Sequence, residues 1–96
     1  MEDRTKSIET LSAEEREEIL IDVARTLEGA AREALVEGDQ KFAEFSRNMA
    51  EAIRINADEL AHEDPENADK VFQQASEVIS HFKVTHPYRL ISTAVH

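Results

Sequence analysis

Residues 32–45 read R-E-A-L-V-E-G-D-Q-K-F-A-E-F, and the four in the middle, Glu37, Gly38, Asp39 and Gln40, decide what the chain can be. Glycine takes up the left-handed conformation that closes a helix at little steric cost, and an Asp directly after it can accept from the first N–H groups of a new helix. One helix therefore ends at Gly38 and a second starts at Gln40. So short a connection folds the two back on each other as a hairpin.

Upstream, Ser12-Ala13-Glu14-Glu15 is an S-x-x-E capping box, which sets the start of the first helix at Ala13. Leu20, Val23, Ala24, Leu27, Ala31, Ala34 and Leu35 then recur at steps of three and four, the spacing of one helical face. Downstream, Phe42, Phe45, Met49, Ala52, Ile53 and Leu60 form the expected stripe of the second helix. A third helix starts at Asp64-Pro65-Glu66, with Asp64 as N-cap and proline at the first helical position, where its missing N–H costs nothing. Ala68, Val71, Phe72, Ala75, Val78, Ile79 and Phe82 give this helix the cleanest amphipathic pattern, and Pro87 stops it because the residue before a proline is pushed out of the helical region. The sequence thus predicts an all-α antiparallel three-helix bundle with helices at about 13–37, 40–63 and 65–83, forming a single domain over residues 1–96. Residues 1–11, polar apart from Ile8 and Leu11, are expected to fray.

The last stretch, H-F-K-V-T-H-P-Y-R-L-I-S-T-A-V-H (81–96), raises the functional question. From Val84 onward it has no Asp or Glu, yet it crowds Tyr88, Leu90, Ile91 and Val95 together. A short helix begun at Pro87 places Tyr88, Ile91 and Val95 on one side; a strand fits less well because Ile91 breaks the alternation. Soluble proteins seldom leave such a patch in water. Residues 84–96 are therefore expected to dock on the bundle, on a second copy or on a partner, and a homo-oligomer, most simply a two-fold dimer, is favoured.

Charge narrows the partners. Twenty-one Asp and Glu against 11 Lys and Arg give a formal charge of -10, with 12 of the acids in residues 1–39. That field repels phosphate backbones and anionic lipid, so direct nucleic-acid or membrane binding is not expected, and a partner with a basic surface is. Glu14, Glu15, Glu17, Glu18 and Asp22 open the first helix as a candidate steering face. Such a run ordinarily complements the helix dipole; the sharper alternative is a nucleic-acid mimic that blocks a basic protein, such as a counter-defence factor. With no cysteine, no apolar leader in residues 1–10 and no run of about 18 apolar residues, a cytoplasmic location is expected.

Residues that could carry chemistry are few. Glu59 and His62 have the E-x-x-H spacing of carboxylate metal bundles, although those need two such motifs and two further inward Glu, so the pair is a weak metal candidate. His81, His86 and His96 read as surface histidines rather than a zinc site. No nucleophile elbow or glycine-rich phosphate loop is present, so neither enzyme activity nor a cofactor is expected. Asn56 falls near the centre of the second helix's stripe, where an amide could fix the register of a self-associating interface or else rotate to a wet rim. Gly29 is placed away from the core of the first helix, marking either a bend or a close contact with another chain, with Val36 beside it. The expected function is a small, acidic, non-enzymatic interaction protein: an adaptor, regulator or inhibitor that occupies a partner surface, anchored by Tyr88, Leu90 and Ile91.

Overall fold

The structure, a computed structural model, describes residues 7–85. A single 3-10 turn at Ile8–Thr10 leads into α1 (Ala13–Val36), α2 (Gln40–Glu63) and α3 (Pro65–Thr85), and the described residues contain no strand. The chain is an all-α three-helix bundle, with successive helices antiparallel because the connections are too short for anything else.

Each boundary has a local chemical cause. Ser12 Oγ accepts from the Glu15 N–H at 3.1 Å while the Ser12 N–H donates to Glu15 Oε1 at 3.1 Å, so both halves of the capping box form. At the far end Gly38 has φ of +88°. It lets the Asp39 N–H reach back to the Ala34 carbonyl at 2.8 Å and its own N–H reach Leu35 at 3.1 Å, the pair of bonds that closes a Schellman turn. Asp39 then accepts from the Phe42 N–H at 3.2 Å and so opens α2. Asp64 repeats this double role: its N–H donates to the Leu60 carbonyl at 3.1 Å, and its carboxylate accepts from the Asn67 N–H at 3.3 Å.

The core is built on alanine. Among the described residues, ten of the sixteen buried apolar positions are Ala, and α1 and α2 form the most extensive helix pairing. On α2 the buried face is Ala43, Ser46, Ala50, Ile53, Ala57 and Ala61, set against Leu20, Val23, Ala24, Leu27, Ala31 and Ala34 of α1. Small side chains let two helix backbones approach closely, towards the lower end of the usual interaxial range. Ser46 takes part in the same seam, its hydroxyl donating to the Leu27 carbonyl at 2.7 Å in a fully buried position.

That seam corrects the expected stripe. Phe42, Met49 and Leu60 lie on the flank of α2 rather than on its most buried line, and Phe45 is 50% exposed. Leu35, placed in the core of α1 by its spacing, is 58% exposed. Apolar spacing locates the large residues, but the closest helix contact selects the small ones, so the true face is turned towards the alanines. Helix α3 touches down at Ala68, Ala75 and Phe82, seven residues apart, and Phe82 stacks on Phe42 with ring centroids 5.0 Å apart.

The N-terminal turn also departs from expectation. Ile8 is buried in the main core cluster with Leu20, Ile53 and Ala68, and its N–H donates to Asp69 of α3 at 3.1 Å. Arg16, itself buried, holds the turn in place: Nε donates to the Ala61 carbonyl at 2.9 Å, and Nη1 donates to the carbonyls of Leu11 at 2.5 Å and Glu9 at 3.2 Å. The Ala61 carbonyl belongs to the last turn of α2, where the helix dipole favours a cation. Residues 8–11 are therefore packed, not frayed.

Candidate interaction surface

An alanine core leaves the larger apolar side chains at its edges. Between α2 and α3 this produces a groove in two continuous sections, of about 380 and about 510 Å³. Met49, Ile53, Leu60 and Val71 line the first, Phe42, Val78 and His81 the second, and Phe45, Met49 and Gln74 belong to both. Polar groups are sparse, with Asn48, Gln74, Glu77 and His81 spaced along the rim. No single residue marks this groove in the sequence. Its signal is the mismatch between a stripe of large apolar residues, Phe42, Phe45, Met49 and Leu60, and the small-residue line one position further on, Ala43, Ser46, Ala50 and Ala61, which together make α2 apolar over more than the face one neighbour can cover.

The expected site residues fall in several places. Tyr88, Leu90, Ile91 and Val95 lie outside the described residues, as do His86 and His96. Asn56 is exposed, and its amide donates to the Ala52 carbonyl of its own helix at 2.8 Å, so it sets no register inside this bundle. Gly29 does not face away from the fold: with Ala30, Ile79 and Phe82 it lines a cleft of about 280 Å³ between α1 and α3. A Cβ built at Gly29 would meet only the Arg32 guanidinium, at 3.9 Å, so no backbone within the described chain requires glycine there. Val36 is 75% exposed beside the Gly38 turn.

The first-helix carboxylates have partners of their own. Glu15 is engaged in the cap, and Asp22 pairs with Arg25 at 2.9 Å. Glu14 and Glu18 are exposed, and Glu17 is half-buried at the α1–α2 edge. Across that edge the structure assembles Glu17 with Asp58 and His62, their ligand-capable atoms all within 4.8 Å, in place of the expected Glu59–His62 pair. His62 Nδ1 lies 2.9 Å from the Asp58 carbonyl and 3.2 Å from its carboxylate. The hydrogen bond to that carbonyl, reinforced by the charges of Asp58, Glu17 and Glu14, raises the His62 pKa above the ordinary imidazole value. The cluster reads as an exposed His62–Asp58 ion pair within α2, with the Glu17 carboxylate of α1 close by.

Elsewhere Glu28 and Arg54 join α1 to α2 in a two-pronged bond, at 2.6 and 2.9 Å, and the Arg54 guanidinium holds the Glu28 carboxyl below its usual range. No described helix is long and apolar enough to cross a membrane. No protein-family model, curated protein sequence or solved structure matches the chain.

Proposed function

We propose that the chain is a protein-interaction module whose working surface is the groove between α2 and α3, taking an apolar, non-acidic segment of another protein. One observation carries this reading: Phe45, half exposed, sits where the two sections of a continuous apolar groove meet. Large aromatic side chains in apolar grooves are the usual anchors of helix or extended-segment recognition. The net charge of -10 adds a steering field that favours basic over acidic partners and disfavours nucleic acid. The mimic reading would need the α1 carboxylates presented together to a basic groove, and the engagement of Glu15 and Asp22 within the fold gives it no support.

The test compares the full chain with its Phe45→Gln variant as baits in extracts of the native host. A partner retained by the wild type, lost with Phe45→Gln and kept by a Glu14→Gln/Glu18→Gln control supports the groove. A partner indifferent to Phe45 but lost with the carboxylates moves the function to the acidic face. Retention by all three baits contradicts the groove outright.

A further inference from the structure

We infer that two copies of this chain pair through α2, antiparallel, about a two-fold axis at Ala52. The pairing strip borders the α2–α3 groove and shares Phe45, Asn48 and Ala52 with it, but the inference stands whether or not the groove takes a foreign segment. At about 100° per residue, the side of α2 turned away from the alanine seam carries Phe45, Asn48, Ala52, Ile55 and Asn56, all of them exposed. Ile55 is the most open of these, at 73%.

Charge is the first support. From Phe45 to Asn56, about three turns, this strip bears no charged residue. In a chain that is 33% charged, a solvated helix face would carry several. Depletion of charge at the centre of a surface is the compositional mark of an interface. Two chains of net charge -10 also repel one another, so a second copy can approach only over a face where that charge is missing.

The ends of the strip select the occupant. Lys41 stands at one end and Glu59 and Glu63 at the other, all exposed. In an antiparallel pair with its axis at Ala52, positions equally far from that residue meet, so residue i faces j and j faces i. Lys41 and Glu63 are both eleven residues away, which sets an ammonium opposite a carboxylate at each end of the contact. A parallel pair would set Lys41 on Lys41 and Glu63 on Glu63. In the antiparallel register Met49 meets Ile55, and Asn48 meets Asn56, as neutral pairs. The Asn56 amide already donates to the Ala52 carbonyl at 2.8 Å, so Asn48 supplies the donor across the pair. Ala52 at the axis lets the two backbones close, as the alanines do between α1 and α2, and a shallow crossing of about 20° keeps both charged ends in reach.

Sedimentation equilibrium of the full chain, from micromolar to millimolar protein, tests this. A reversible monomer–dimer equilibrium is expected. Ala52→Glu puts two carboxylates at the axis and is expected to weaken the dimer about a hundredfold, with helical content by circular dichroism unchanged because the position is exposed. Lys41→Glu and Glu63→Lys are each expected to weaken it about tenfold, and the two changes in one chain to restore most of the affinity. The first makes the chain more negative and the second less, so a mere net-charge effect would move them in opposite directions. Ala52→Cys, in a chain with no cysteine of its own, is expected to give an interchain disulfide on mild oxidation, and Glu18→Cys none. A chain that stays monomeric throughout the range overturns the inference, as does a dimer that Ala52→Glu leaves intact. Opposite effects of Lys41→Glu and Glu63→Lys, or no rescue in the double variant, overturn the antiparallel register.

Discussion

The hydroxyl of Ser46 donates to the main-chain carbonyl of Leu27 at 2.7 Å, entirely out of water, at the middle of the α1–α2 seam. A serine can bond the backbone of a neighbouring helix only where the two helices lie very close. The Ala43, Ala50 and Ala57 line makes that approach possible. Ser46→Ala, which keeps the shape and deletes the bond, should cost about 1 kcal/mol. Ser46→Leu should cost about 3 kcal/mol or more by forcing the seam apart. Urea unfolding followed by circular dichroism measures both; equal costs would mean that the hydrogen bond, not closeness, governs the site.

Gly29→Ala is expected to stabilise the protein by about 0.5–1 kcal/mol, because glycine in a helix interior keeps excess freedom when unfolded. The added methyl has room, its nearest neighbour being the end of the flexible Arg32 side chain at 3.9 Å. A loss of stability on thermal melting would show that something outside the described chain packs on that position.

Arg16 joins three carbonyls from two separate segments through one planar guanidinium. Arg16→Met should cost about 2–4 kcal/mol, since buried carbonyls lose a charged donor, and Arg16→Lys should restore little because an ammonium cannot span the same fork. Hydrogen exchange adds a local readout. The Ile8 N–H, bonded to Asp69, should lose protection in both variants before the α1–α2 seam does.

Two titrations should move in opposite directions. Glu28 has its pKa lowered first by the Arg54 hydrogen bond, so its contribution to stability is present above the ordinary carboxylate value and is lost as pH falls through the depressed one. His62 has its pKa raised, first by the Asp58 carbonyl, so its contribution is present below the ordinary imidazole value and is lost as pH rises through the elevated one. By NMR, Arg54→Gln should raise the Glu28 midpoint. Asp58→Asn should lower that of His62 only partly, because the carbonyl remains.

The helix boundaries were legible because each rests on a few residues with one dominant local function: Ser12 with Glu15, Gly38 with Asp39, and Asp64 with Pro65. The facing of α2 was not. Hydrophobic spacing weights Phe45 and Met49 above Ala50 and Ala57, whereas close helix packing rewards small volume, a property of the pair that one helix read alone does not display. Arg16 and Ile8 were missed for a related reason. Their partners, Ala61 and Asp69, lie 45 and 61 residues away, and a lone Arg in an acidic helix start resembles an ordinary surface charge. The groove itself became visible only once the alanine seam showed which apolar residues were left over.

The most direct test of the groove as a recognition surface is methyl NMR of the full-length protein titrated with the apolar dye 1-anilinonaphthalene-8-sulfonate. Saturable shifts confined to Met49, Ile53, Leu60, Val71 and Val78 are the expected result. Shifts centred on Leu35, Val36 and Ile55, or no saturable change at all, would contradict it.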